Sequence, residues 1–194
     1  MAYGINAREL LASELEGMLT EMPLSKVRVA ELCRRAGCSA PTFYYHFRDK
    51  YELAAWMFVG DFAAAFADRD PSYDVALMEA SLANMERRAA FYAAVWDDRS
   101  QNSVAAYIQD FCVEMSEAAV RSATGAPMTG AQVLLAKYHA YGMTNLAMEW
   151  MAGGLEAGRR ELAEMLVERT PAFLADALSE HEFRSEELLG RARR

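Results

Sequence analysis

Five ring-bearing side chains stand side by side at Phe43, Tyr44, Tyr45, His46 and Phe47, within the stretch AGCSAPTFYYHFRDK that covers residues 36–50. Phenolic O–H and imidazole N–H groups donate well to phosphate oxygens. Ala40 and Thr42, just ahead of them, are small enough to approach base edges and thymine methyl groups. Lys50 adds a cation at the start of a further helix, where backbone N–H groups already favour an anion. A helix cannot bury adjacent positions equally. Phe43 and Phe47, spaced i, i+4, take the buried side and leave Ala40, Thr42, Tyr44, Tyr45 and His46 for solvent or a ligand. Such a surface recognises a polyanion with readable edges.

The flanking residues specify the elements that must hold it. Ser39 is a natural N-cap and Pro41 falls in the first turn, where its missing N–H costs nothing, so a helix is expected over Ala40–Phe47. Before it, Val29, Leu32, Cys33 and Ala36 form one stripe of a short helix that Gly37 stops. Two short helices joined by a glycine turn have the layout of a helix-turn-helix, with Ala30 and Leu32 expected to face Phe43 and Phe47. Upstream, Leu10, Leu11, Leu15, Met18 and Leu19 predict a helix that Pro23 ends. Downstream, Asp49-x-x-Glu52 has the form of a capping box and opens a helix reaching to about Asp68. After a break at Asp70-Pro71-Ser72, helices are expected over 73–97, 102–123, 130–152 and 159–178. The turn-rich stretches WDDRSQ, TGAPMTG and AGGLEAG separate them, and the charged tail EHEFRSEELLGRARR is expected to fray. No β-type alternation is sustained. The fold class is all-α.

Charge patterning agrees with the polyanion reading. The 194-residue chain carries a net charge of −8, yet residues 1–58 hold seven Lys/Arg against seven Asp/Glu, so the whole excess lies further on. Between Lys26 and Lys50 six basic residues stand against Glu31 and Asp49. Screening confines such a local field to about 10 Å, so a basic face on an acidic body still binds phosphate. Hydrophobic residues at 53% suffice for a real core, and no apolar run approaches the ~20 residues that span a bilayer. The amphipathic start, with early acidic residues, is not that of a signal peptide. Three cysteines, an odd number in a chain this size, point to the cytoplasm.

The segment from Val27 to Phe58, with its FYYHF-x-DK-x-x-L core, closely resembles the DNA-binding helix-turn-helix of TetR/AcrR-type transcriptional regulators. The resemblance implies a DNA-binding domain over 1–48 and a C-terminal regulatory and dimerisation domain over 49–194, acting as a homodimer on double-stranded DNA. Ala40, Pro41, Thr42 and Tyr45 correspond to the surface that meets the bases, and Ser39 is counted with Arg28 among the further DNA-binding residues. Tyr44, His46 and Lys50 correspond to the phosphate contacts, and Gly37 to the turn. Where the family places Thr or Ser as the cap of the second helix this chain has Arg28, so either Ser25 caps instead or Arg28 contacts phosphate directly. The segment YHAYGMTNLAMEWMAGGLEAGRRELAEML also resembles the end of the dihydroxyacetone-kinase-regulator-like (DhaS-like) branch, which implies a dimer interface over about 130–178.

Two functions of the remaining residues are open at this level. Phe62, Phe66, Met85, Tyr92, Trp96, Tyr107, Phe111, Met115 and Tyr138 would line an adaptable apolar ligand pocket or simply form a helical core. His139 is read as a packing histidine, with ligand contact as the alternative. Cys33 and Cys38 lack a second pair at metal-ligand spacing and read as core cysteines, with no metal and no cofactor expected. No catalytic motif is present, so the chain is not read as an enzyme. The expected function is a ligand-responsive repressor of a palindromic operator. The alternatives are an activator or ligand-independent regulator, and a helical small-molecule-binding module without DNA binding.

Overall fold

A computed structural model describes residues 3–66, 72–96 and 103–181. The Asp70-Pro71 break, most of WDDRSQ and the tail beyond His181 lie outside the described residues. The fourth helix, expected to reach about Asp68, already ends at Ala64, with Ala65 as its C-cap. All elements in the described residues are helical: α1 Tyr3–Leu19, α2 Val29–Arg35, α3 Ala40–His46, α4 Lys50–Ala64, α5 Val75–Glu86, α6 Ala89–Trp96, α7 Val104–Thr124, α8 Gly130–Met151, α9 Arg159–Glu168 and α10 Ala172–Glu180. A 3-10 turn, Leu24–Lys26, joins α1 to α2.

Helices α1–α3 pack around Leu11, Leu15, Leu24, Leu32 and Phe43, each fully buried. This core is continuous with that of the later helices through Leu53 and Ala54 of α4, also fully buried. A helix this apolar all round is a core element. Accordingly, α4 packs on α1, α5 and α7 at once. A second apolar cluster joins the far end of α4 to α7 and α10.

Two expected helices are each two. The segment 73–97 breaks at Arg87-Arg88, where no glycine or proline marks a stop. The segment 159–178 breaks at Thr170-Pro171, where the proline ring disfavours a helical predecessor. The Asp49 side chain caps α4 through the Tyr51 and Glu52 N–H groups, both at 2.9 Å, while the Glu52 carboxylate accepts from the Arg48 N–H. Ala30 is exposed and does not face Phe43; Leu32 alone of that expected pair is buried.

Candidate functional site

The turn between α2 and α3 sets the direction of the ring-bearing helix. Gly37 adopts φ +66°, a conformation that costs an L side chain strain. The Cys38 N–H reaches the Cys33 carbonyl at 3.0 Å and the Gly37 N–H reaches Arg34 at 3.4 Å, the paired bonds of a Schellman stop. In this motif the side chains flanking the stop meet. Burial and the Cys38 contact push the Cys33 thiol up to about 11, so it remains a neutral packing group. Ser39 Oγ then accepts the Thr42 N–H at 3.2 Å and starts α3.

Direction separates the five rings. Phe43 and Phe47 are buried, Phe47 lying 5.9 Å from Trp56 of α4. Tyr44 and Tyr45 are 59% and 85% exposed, and beyond the edge-on contacts of Tyr44 with Phe43 at 5.3 Å and of Tyr45 with His46 at 4.9 Å they display aromatic area outward. His46 is half-buried, and its Nδ1 accepts from Arg8 Nε at 3.2 Å. That bond leaves the ring proton on Nε2, where it can donate. Arg8, on α1, is a cation that the sequence pattern did not attach to this surface; the contact spans 38 residues and has no local signal. Ser39 and Pro41 are exposed, while Ala40 and Thr42 are half-buried beside them.

The cations divide less simply than their clustering suggests. Arg34 and Arg35 bind Glu31, Arg35 also binds Glu21 at 2.8 Å, and these guanidinium hydrogen bonds hold the Glu31 carboxyl down at about 2. They form a self-neutralised surface patch. Arg28 is the N-cap of α2 but makes no side-chain cap bond, and Ser25 does not cap in its place. Arg28 is exposed. Lys50 directs its ammonium to the Ser25 and Val27 carbonyls at 2.8 and 2.9 Å. This fixes the cation beside the start of α2.

A cavity of ≈ 100 Å³, measured as the space open to the centres of water-sized spheres, lies between α4, α5, α7, α8, α9 and α10. Phe62, Met85, Phe111 and Met115 line it as expected of a pocket. Phe66, Tyr92, Trp96, Tyr107 and Tyr138 do not. Phe66 packs in the second core cluster. Trp96 packs against the first cluster. Tyr92 is fully buried and donates to Asp61 at 2.5 Å. Tyr107 donates to Asp49 at 3.2 Å under the Arg48 guanidinium. Tyr138 is 80% exposed. Its neighbour His139 turns inward to the cavity, and burial lowers its pKa, keeping the imidazole neutral. Also unforeseen on the wall are Tyr73, Ser81, Ser116 and Thr144. Among the described residues no cluster of three or more His, Cys, Asp or Glu could hold a metal. No described helix is long and apolar enough to cross a membrane.

A helix-turn-helix with an outward aromatic face, set on an all-helical body that holds an apolar cavity, is an arrangement suited to a DNA-binding regulator. Residues 17–56 match the family model described as bacterial regulatory proteins, tetR family. No curated protein sequence matches the chain. Among solved structures the chain shares its fold with the dihydroxyacetone kinase operon activator DhaS, at 16% identity and a TM-score of 0.50, over 91% of this chain and 98% of that one. Over residues 17–56, from the end of α1 to the middle of α4, the chain is similar to the tetR-family regulators.

Proposed function

We propose that the chain is a ligand-responsive repressor that binds a palindromic operator as a homodimer in the cytoplasm, with residues 1–48 on DNA and 49–194 sensing and dimerising. The observation that carries this reading is the exposure of Tyr44 and Tyr45 on a helix whose opposite side is locked by Phe43 and Phe47. Ala40, Pro41, Thr42 and Tyr45 would meet base edges. Arg28, Ser39, Tyr44, His46 through Nε2, and Lys50 would meet phosphates. In the dimer two such helices enter successive major grooves about 34 Å apart. The face for the second copy is on α8, where Leu134, Leu135, Tyr138 and Tyr141 are all exposed at helical spacing.

Transmission would run through α4. Phe58 and Phe62 of α4 line the cavity, and its N-cap Asp49 is held by Tyr107 of α7, beside Ile108 of the cavity wall. A ligand that favours another setting of α4 lowers operator affinity by its differential binding. Activation is the second reading, since the fold is shared with a protein named an operon activator. Selection of bound sites from random duplex DNA gives the operator. Binding to it should weaken with salt, and Tyr44→Phe, which removes one phosphate donor, should weaken it about 3- to 10-fold on every sequence tested. Absence of a selected palindrome would refute the reading. Transcription from the selected site, falling or rising with the protein, decides the sign.

A further inference from the structure

The cavity that the proposed function assigns to an effector also specifies the effector's chemistry. Of its lining residues among those described, none is Asp, Glu, Lys or Arg. The polar groups come from α5, α7, α8 and the segment before α5, and the hydroxyl protons among them are already directed. Ser81 Oγ of α5 lies 3.0 Å from the Leu77 carbonyl, Ser116 Oγ of α7 2.8 Å from Cys112, and Thr144 Oγ1 of α8 2.7 Å from Ala140. A carbonyl only accepts, so in each contact the hydroxyl is the donor. All three residues are buried. What their oxygens have left is lone pairs.

The remaining polar groups follow the same logic. Thr170 Oγ1 donates to the Leu166 carbonyl at 3.1 Å, so Tyr73 Oη, 2.9 Å away, and His139 Nε2, 3.4 Å away, must be the donors to Thr170. Tyr73 and His139 are then left with lone pairs as well, His139 at Nδ1. The Cys112 thiol is a weak S–H group that burial pushes up to about 12, and it is already in contact with the Thr144 hydroxyl. Phe58, Phe62 and Phe111 supply ring faces and edges, and five methionines supply adaptable surface.

We infer that the cavity binds an uncharged, largely hydrocarbon or aromatic molecule bearing a hydroxyl group, whose O–H donates to one of the converging Ser81, Ser116 and Thr144 oxygens. A carboxylate or phosphate would enter with acceptors facing acceptors and no cation. An ammonium would have suitable donors but would be desolvated without a counter-charge, which costs more than the hydrogen bonds return. An ether or ester would be left with a buried, unsatisfied oxygen. The regulatory use of this site rests on the proposed function; its ligand preference does not.

The test uses one hydrocarbon length with four head groups: 1-octanol, its isomer methyl heptyl ether, octanoate and octylammonium, each titrated calorimetrically into the full chain at pH 7.5. Octanol should bind about tenfold tighter than the ether, the value of one net hydrogen bond with its partner otherwise unsatisfied. Both ions should bind more than about a hundredfold weaker than octanol. Ser81→Ala, Ser116→Ala and Thr144→Val each remove one acceptor at nearly constant volume. At least one should reduce the octanol-to-ether ratio to below about threefold while leaving ether affinity unchanged. Equal or tighter binding of the ether or of either ion overturns the inference. So does a preference that survives all three substitutions, or no binding by any of the four, which would make the cavity a packing void. A parallel titration with operator duplex present separates the two readings. Octanol that binds as expected but leaves DNA affinity unchanged would refute ligand-responsive regulation and leave the ligand chemistry standing.

Discussion

Arg88 provides the sharpest test of how α1 is held to α4. It sits at the break between α5 and α6 and reaches two other helices. Its Nη1 is 2.7 Å from Asp61 of α4, and its Nε and Nη2 are 3.1 and 2.9 Å from the Glu16 carboxylate of α1. Burial alone would pull the guanidinium down, yet the Glu16 hydrogen bond and the Asp61 charge carry it above its ordinary value. In Arg88→Met the aliphatic stem is kept and the charge removed, so Asp61, 18% exposed, is left with only the Tyr92 hydroxyl among these partners. Breaking a fully buried pair costs about 3–5 kcal/mol; discounted for this partial exposure, the Asp61 leg comes to about 2 kcal/mol. The Glu16 leg is 42% exposed on the carboxylate side and adds about 0.5 kcal/mol. The contact of the guanidinium with the Phe91 ring, 4.5 Å from its centroid, is of similar size.

The expected total is thus about 3 kcal/mol, or a Tm lower by roughly 6–12 °C for a chain of this length. The assay is thermal and urea unfolding at fixed protomer concentration, since association would otherwise shift the apparent stability. Arg87→Met, at the exposed neighbouring position, is the control. A double-mutant cycle with Asp61→Asn should give a coupling of about 1–2 kcal/mol. A loss no greater than that of the control, or strict additivity in the cycle, would refute the claim that Arg88 ties α1 to α4.

Gly37→Ala should destabilise the chain by about 1–2 kcal/mol through backbone strain alone, because a Cβ there meets nothing within 4 Å; Gly37→Asn should cost less, and equal unfolding curves for both would remove the argument. His139 has its folded pKa lowered by burial, so its contribution is fully present above the ordinary value of 6.5 and is lost as pH falls through the folded value. Melting between pH 7.5 and 5.5 should accordingly fall more steeply in the native chain than in His139→Gln. Tyr138→Glu places charges on the exposed α8 face and should convert a dimer to monomers by analytical ultracentrifugation at micromolar concentration, with an unchanged circular dichroism spectrum.

The amino-terminal helices were legible because their determinants are local. Ser39, Pro41, Gly37 and Asp49 act within three residues of themselves, and the i, i+4 spacing of Phe43 and Phe47 settles which rings turn inward. The later helices offered no such handle. Helix α8 is apolar nearly all round, and helical periodicity cannot then say which side meets the cavity. Tyr138 and His139 are adjacent, one 80% exposed and the other on the cavity wall. Tyr92 and Tyr107 had the right period for a pocket, but Asp61 and Asp49, 31 and 58 residues distant in sequence, draw their hydroxyls elsewhere. The break at Arg87-Arg88 has the same origin. Arg88 is held by Glu16 and Asp61, 72 and 27 residues away, and no turn residue signals it.

These long-range contacts bear on what a ligand can do. Helix α4 is pinned near its start by Asp49 to Tyr107 and by Lys50 to the carbonyls ahead of α2, and further along by Asp61 to Arg88. A close-packed interior with such ties passes a displacement on rather than absorbing it. A charged side chain, Asp49, Lys50 or Asp61, carries each of these three ties, yet none of them lines the cavity, whose wall is neutral. An effector of the inferred kind therefore has no electrostatic route to them. It would act through volume, by the space it needs between Phe58 and Phe62 of α4 and Ile108 and Phe111 of α7, and the operator response should track ligand shape more closely than ligand polarity.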